Sequence, residues 1–430
     1  MNAWTLVLQY RRSASYGLNV LLGALEAELD PDPGLTIVTA SGIDDGIAAA
    51  GAAVARGERV VVAWSFYSSE ATPVAAELDR YRRAVTGPIR HLAGGVHASA
   101  EPVATLGLGF DLVAVGEGEH TLVELVRAWA DSGEAGRPEP TVAGLVWLDD
   151  DGEAVRTGPA LRFPLGRYPA FARRHGRFNP IEITRGCVYG CTFCQTPFLF
   201  KARFRHRPVD DVARHAAELV ASGRRDVRFL TPTALSYGSD DESVDLDAVG
   251  SLLGEVRRAV GPQARVFFGT FPSELRPEHV TDEAVALIRR YCDNDNVVIG
   301  AQSGADGQLA RTNRGHGVDV VVDAVRAIRR AGLGANVDLL FGLPGETPDD
   351  LGASLELADR LAALGARVHA HTFMPLPGTP LRDAEPGRLD PEVRARLDRL
   401  ASDGVLYGAW RRQEQVAAQL VELRPARRRR

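Results

Sequence analysis

Thiols are scarce in this chain, which has four cysteines in 430 residues. That excludes a scaffold stapled by disulfides, and it points to a reducing compartment, the cytoplasm. Long apolar runs are missing too. None approaches the roughly 18 residues that a membrane-spanning helix requires. The first residues, "MNAWTLVLQYRRSASYG", show neither signal-peptide nor transit-peptide character, because the apolar stretch reads as a strand with charge after it. No excess of positive charge is present: the net charge is −6, which gives no overall case for nucleic acid. The one basic run, "RPARRRR", reads as a solvated tail, with a contact to RNA or an acidic partner as the alternative. What is present is the composition of a soluble globular protein, 45% hydrophobic and 25% charged, with length for two or three domains.

Residues 1–133 alternate short strands with helices. "WTLVLQ", "GLTIVTA", "RVVVAWS", "IRHLAGG" and "FDLVAVGEGE" read as strands, and "NVLLGALEAEL", "DDGIAAAGAAVARG" and "AAELDRYRRAV" as helices between them. That order predicts a doubly wound, Rossmann-like parallel sheet, which binds ligands outside the carboxyl ends of its strands. Those ends read "WSFYSSE", "GGVHAS" and "VGEGEH". Residues 134–178 read as a polar linker holding a small hairpin around an acidic turn, followed by an irregular connector. Residues 179–384 alternate again: six strands, beginning with "IEIT", and five helices predict a partial (β/α)6 barrel of the TIM type, with chemistry at the strands' C-terminal ends. Residues 385–430 read as a helical segment ending in the basic tail.

Three of the four thiols fall within "GCVYGCTFCQ" (186–195), just after the first barrel strand. Cys187, Cys191 and Cys194 would repel one another as thiolates unless a cation held them. Three ligands leave a four-site metal centre one open position, which suits a 4Fe–4S cluster with one non-cysteine iron. Zinc is the alternative, with His206 or the distant Cys292 as a fourth ligand.

This stretch resembles the cluster loop of the radical S-adenosylmethionine superfamily. The resemblance implies that the three cysteines hold a 4Fe–4S cluster whose open iron binds the amino and carboxylate groups of S-adenosylmethionine. Reductive cleavage then yields a 5′-deoxyadenosyl radical. It also implies an electron donor such as flavodoxin or ferredoxin. Phe193, before the last cysteine, corresponds to the aromatic residue near the adenine. "VVIGAQSG" (297–304) is similar to the family's GxESG segment, with Gln302 where Glu is common, so that an amide would bond the ribose; Ser303 follows it. Arg314, in "NRGH", corresponds to a basic residue that reaches the methionyl carboxylate. "FGLPGET" places Gly345 beside the adenine, and "FMPLPGTP" places Met374 there. The family's Gly-Gly-Glu-like segment is replaced by "LTPTALSYG", which leaves Thr231 and Thr233 to meet the amino group.

With a radical barrel behind it, the first domain resembles the cobalamin-binding domain of the cobalamin-dependent subfamily, through "GGVHASAEP" (94–102) and "LGFDLVAVGEGEHTLVELV" (108–126). The corrin would then meet Ser65, Phe66 and Tyr67 below, Gly94, Gly95, Val96 and His97 at its side, and Gly116, Glu117 and Gly118 at its nucleotide tail. No Asp-x-His-x-x-Gly segment exists, so the cobalt would take no histidine from below. The implied function is a cobalamin-dependent methyltransferase acting on an unactivated carbon or a phosphorus centre of a small-molecule substrate. The alternatives are a non-methylating radical enzyme (rearrangement, cyclisation or 3-amino-3-carboxypropyl transfer) with a degenerate cobalamin domain, and an iron–sulfur or cobalamin sensor.

Overall fold

Six consecutive buried residues, Trp4–Gln9, form strand β1. Burial on both faces is the mark of a strand covered by helices on either side. In the computed structural model, which describes residues 3–29, 34–201 and 203–424, the strand lies inside an α/β unit. Contacts divide the chain into Met1–Phe163 with Arg167–Asn179, and Pro164–Gly166 with Pro180–Arg430. The basic run beyond Arg424 lies outside the described residues. Among the described residues no helix is long and apolar enough to cross a membrane.

In the first unit β1 is followed by α1 (Ser15–Glu28), β2 (Leu35–Ala40), α2 (Ile43–Ala55), β3 (Arg59–Ser65), α3 (Ala71–Ala84), β4 (Ile89–Gly94), α4 (Gly95–Ala100), α5 (Pro102–Gly107), β5 (Leu112–Ala114) and α6 (Gly118–Ser132). The strands run parallel in the order β2-β1-β3-β4-β5. This is the doubly wound sheet expected, and the loops after β3, β4 and β5 all leave from one edge.

The segment expected to be a linker is continuous with this unit. Its hairpin, β6 (Leu145–Leu148) and β7 (Ala154–Arg156), adds two antiparallel strands beyond β5. The acidic turn between them is held by Asp149, whose carboxylate accepts the Asp151 and Glu153 N–H groups at 3.1 and 2.8 Å. The connector is fixed as well: the Asn179 amide oxygen accepts from buried Asn19 at 2.8 Å, and a Cβ on Gly23 of α1 would lie 2.7 Å from the Phe171 carbonyl. An antiparallel edge breaks the strand–helix alternation, so the alternation could not announce it.

The second unit opens with β8 (Ile181–Glu182), β9 (Thr184–Arg185), α7 (Thr196–Leu199) and β10 (Arg205–His206). There follow α8 (Val209–Ala221), β11 (Asp226–Leu230), α9 (Leu246–Val260), β12 (Arg265–Phe267), α10 (Asp282–Tyr291), β13 (Asn296–Gln302), α11 (Asp306–Arg311), α12 (Val318–Arg330), β14 (Gly334–Phe341), α13 (Pro348–Ala363) and β15 (Arg367–Thr372). Strands β8, β11 and β12 form one parallel arc and β13, β14 and β15 another, joined by a parallel bridge between Leu275 and Ile299. Helix starts carry the caps their sequences foretell: Asp245 accepts Ala248 N–H, Thr281 accepts Ala284 N–H, and Thr347 with Asp350 makes a capping box ahead of Pro348.

The C-terminal segment is helical in α14 (Pro391–Ser402) and α15 (Trp410–Glu422), but between them β16 (Leu406–Tyr407) adds a seventh parallel strand beside β15. Two residues are too few for a period to register in sequence.

Trp129 ties the first unit together. It is fully buried, meets Trp4 edge-on at 5.6 Å, and its indole N–H donates to the Arg137 carbonyl at 2.8 Å. Trp129→Ala is expected to destabilise this unit by about 3–5 kcal/mol in urea unfolding followed by circular dichroism, whereas Leu148→Ala, at an exposed site, shifts it by less than about 0.5 kcal/mol.

Candidate active site

The cysteine loop begins at Gly186, with φ of +86° and no room for a side chain: a Cβ there would lie 1.9 Å from the Arg203 carbonyl oxygen. Only glycine meets both conditions. The antiparallel pairing of β9 with β10, Thr184 opposite His206 and Arg185 opposite Arg205, closes the loop behind it. Within it the Cys194 N–H bonds the Cys191 carbonyl at 3.1 Å, and Cys187, Cys194 and Phe193 pack onto Tyr189, Cys191 and Phe204. Cys191 is buried and the other two thiols are half-buried.

Burial pushes the Cys187 thiol up to about 12 and raises that of Cys194, and the neighbouring cysteines push both further in the same direction. Cys187 and Cys194 therefore keep their protons unless a strong cation replaces them, and metal coordination deprotonates a thiol outright. The donor set thus fits a thiolate-ligated iron centre.

Positive charge is already aimed at it. Arg314 is buried, with Nη1 3.5 Å from the Cys191 sulfur and Nη2 donating to the Gly300 carbonyl at 2.5 Å. Arg276 Nη1 lies 3.9 Å from the same sulfur, with its guanidinium 3.5 Å over the Tyr189 ring. Arg276 also pairs with Glu278 and bonds the Arg314 carbonyl. The Tyr189 hydroxyl meets His279 at 2.7 Å. Sequence reading missed Arg276 and Tyr189: Arg276 follows an irregular loop, and Tyr189 was passed over between two cysteines.

The remaining expected ligand residues separate into two groups. Thr231 spends its hydroxyl on the Thr233 carbonyl at 3.0 Å, whereas the Thr233 hydroxyl is buried without a partner among the described residues, as is Arg314 Nε. Ser303 is fully buried and engaged: its hydroxyl lies 3.4 Å from that of Ser354 and accepts the Ala305 N–H at 3.2 Å. Gln302 ends β13 at φ +77°, where the register with β14 slips by one residue between Gly300 and Gln302. A non-glycine residue in the left-handed region stores strain, and such positions cluster at ligand sites. Gly345, φ +76°, lies beside the Arg311 side chain, and Met374 is half-buried after β15. His206, weighed as a zinc ligand, instead bonds Thr184 at 2.9 Å and the Ser239 carbonyl at 2.8 Å. Cys292 caps the end of α10, its thiol pushed up to about 12 by burial.

In the first unit the loop ends gather Ser65, Phe66, Gly94 and Gly95 through the pairing of β3 with β4. Gly95 has φ +85°, and a Cβ on it would reach 2.5 Å from the Ser65 hydroxyl. On Gly94 it would meet nothing closer than 3.8 Å. Tyr67 is exposed and Val96 half-buried. Gly116, φ +95°, donates its N–H to Ser99 at 2.9 Å, and Glu117 and Gly118 open α6. His97 is buried, 3.0 Å from the Ser68 hydroxyl and packed on Phe66, and burial lowers it to about 4, so it is neutral.

Glu274 was also missed. It is enclosed beside Gly300 and Arg314; burial raises it to about 7, the Asp338 charge pushes it up further, and Arg314 pulls it back. The unfolded chain releases this proton near 4.5 and the folded chain near 7, so stability is full at low pH and falls as pH rises through that window. Glu274→Gln is expected to flatten the fall between about pH 5 and pH 8, by an amount on the order of 2 kcal/mol in denaturant titrations at each pH. Glu346, raised to about 7 chiefly by burial, keeps the slope from vanishing.

Residues 181–358 match the radical SAM superfamily. The chain is 33% identical over 218 residues to a tRNA-2-methylthio-N(6)-dimethylallyladenosine synthase of Chlorobium luteolum, covering 49% of this chain and 46% of that protein. It is 28% identical over 241 residues to a threonylcarbamoyladenosine tRNA methylthiotransferase of Thermotoga maritima, covering 54% and 52%. The chain spans about half the length of these curated relatives. The structure of the radical S-adenosylmethionine methyltransferase TsrM from Kitasatospora setae, with cobalamin and a [4Fe-4S] cluster bound, superposes with a TM-score of 0.68 at 22% identity, over 89% of this chain and 74% of that one. The cobalamin-dependent radical enzyme OxsB gives 0.63 at 15% identity, over 84% and 52%. At these identities the likeness is one of fold. With the cysteine loop in place after the first barrel strand, residues 181–358 match the radical SAM superfamily, and the chain shares the fold of cobalamin-dependent radical enzymes.

Proposed function

We propose that the chain is a cobalamin-dependent radical S-adenosylmethionine methyltransferase acting on an unactivated carbon or a phosphorus centre of a small molecule. The observation that carries this reading is the pairing of the cysteine loop with a first unit whose β3 and β4 ends present bare backbone at Gly94 and Gly95. That edge fits a wide, flat ligand, and His97, buried and bound to Ser68, supports a cobalt without a histidine from this segment.

When bound, the cluster supplies an electron to S-adenosylmethionine and the corrin supplies a methyl group. The chain's own residues do the rest. Cys187, Cys191 and Cys194 would hold the cluster, and Arg276 and Arg314 lay positive charge against the Cys191 sulfur. The Thr233 hydroxyl and Arg314 Nε, buried and unpartnered among the described residues, suit the amino and carboxylate groups of the methionyl end. Gln302 offers an amide to the ribose. Phe193 and Met374 offer apolar surface to the adenine, with Gly345 backbone alongside.

The curated relatives favour a second reading, radical chemistry without methyl transfer from cobalamin, since those proteins are tRNA methylthiotransferases. The net charge of −6 gives no support to an RNA substrate.

The test is anaerobic reconstitution with iron, sulfide and cobalamin, followed by product analysis with S-adenosylmethionine and a reductant. Iron–sulfur absorbance, retained cobalamin and methylated product are expected. Replacing Cys187, Cys191 and Cys194 with Ala removes the absorbance and all cleavage, and Cys292→Ala leaves both. Gly95→Trp blocks cobalamin uptake and spares the cluster. Full cleavage of S-adenosylmethionine by a wild-type chain that retains no cobalamin decides for the second reading. Gln302→Ala is expected to weaken S-adenosylmethionine binding about 3–10-fold, by the net worth of one neutral hydrogen bond.

A further inference from the structure

Strands β14 and β15 carry a second set of chemistry-bearing side chains. Asp338 and His369 are register partners, and His371 follows two residues on, so all three stand on one face of the sheet. Gly300 of β13 pairs with Asp338 on that same face, which carries Glu274 and Arg314. Asp338 is buried. The Tyr407 ring lies flat against His369, 4.6 Å away and 6° from parallel, and sets its plane.

Hydrogen-bond directions show that these groups do not satisfy one another. The Thr372 backbone N–H donates to Gln413 Oε1 at 3.0 Å, so the amide nitrogen of Gln413 faces His371 Nδ1, also at 3.0 Å. An amide nitrogen only donates, so His371 Nδ1 accepts and the ring's one proton sits on Nε2. That proton points at His369 Nδ1, 3.1 Å away, and takes up its lone pair. Asp338 Oδ1 stands 3.0 Å from the same nitrogen with no proton between them. Two acceptors, Asp338 Oδ1 and His369 Nδ1, thus face each other, a pairing that suits a cation.

Its shape says which kind. Asp338 Oδ1, His369 Nδ1 and His371 Nε2 make a triangle with sides of 3.0, 3.1 and 3.9 Å. A single proton serves one line, not a triangle. One point lies about 2.0 Å from all three corners, the length of a zinc–nitrogen or zinc–oxygen bond. Two imidazoles and a carboxylate on one face are a donor set for zinc or ferrous iron, and three protein ligands leave positions for water or a substrate group.

We propose that Asp338, His369 and His371 form a mononuclear site for a divalent transition-metal ion of the zinc or ferrous class, separate from the cysteine-held cluster. Ligation through His371 Nε2 moves its proton to Nδ1, where the Gln413 amide faces it with a second donor. A carboxylate at 413 would accept both that proton and the Thr372 N–H, as outer carboxylates do behind metal-bound histidines.

The test uses the full chain with its cluster loaded, Zn2+ as the probe, elemental analysis that counts zinc apart from iron, and competition with a chromophoric chelator. One zinc per chain is expected. His369→Ala, His371→Ala and the isosteric Asp338→Asn each lower zinc affinity by about 100-fold or more, with iron content and circular dichroism unchanged, and Gln413→Glu raises it about 10-fold. A wild-type chain that holds no zinc at micromolar concentration overturns the proposal. So does equal zinc in the His369→Ala/His371→Ala double variant, or an affinity that Gln413→Glu does not raise. Failure here leaves the cluster and its chemistry untouched, because the readout is zinc and not turnover.

Discussion

A parallel strand deposits the loop after it on the same edge as every other parallel strand of its sheet. Both units of this chain are built on that constraint. In the first it brings Ser65, Gly94 and Gly116 to one rim, although 51 residues of sequence separate the outer two. In the second it brings the cysteine loop, Thr233, Gln302 and Met374 to the C-terminal ends of the first, second, fourth and sixth barrel strands. Hydrogen bonds along the strands hold the register, the apolar outer faces hold the helices, and neither needs any particular residue at the rim. The rim is therefore free to carry groups that would be costly elsewhere.

Those groups are costly. Arg276 and Arg314 are buried cations, Glu274 is an enclosed carboxyl, and Cys187 and Cys194 sit where burial holds their protons. A lone buried charge costs several kcal/mol, and it survives only with a partner. Here Arg314 rests on the Gly300 carbonyl, Arg276 on Glu278 and the Tyr189 face, and both reach one sulfur. The network is thus partly matched, and its remaining imbalance is directed at Cys191.

Much of this was legible because it followed a period. Alternation of Val-rich strands with capped helices announced both sheets, and the spacing of Cys187, Cys191 and Cys194 after "IEIT" announced a cluster of thiols at a strand end. What escaped was whatever the period does not encode. The hairpin at 145–156 adds an antiparallel edge to a parallel sheet, and β16 has two residues. Glu274 and Arg276 lie in an irregular loop whose burial depends on β13. "VHAHT" shows two histidines on one strand face, but Asp338 becomes their neighbour only through the register of β14 with β15. Gln302 was marked by its motif, yet its left-handed backbone comes from a slip in pairing that no single strand contains.

Closure of the cysteine loop bears on how a metal centre is loaded and lost. Its mouth is pinned by protein alone, through the Arg203 carbonyl set against Gly186 and the pairing of β9 with β10. The entropy of bringing the loop's ends together is therefore lost when the chain folds and not when iron arrives. A cluster held by these three cysteines would leave, on oxidative loss, a loop still closed by protein contacts, so that it could be rebuilt in place without unfolding the barrel around it.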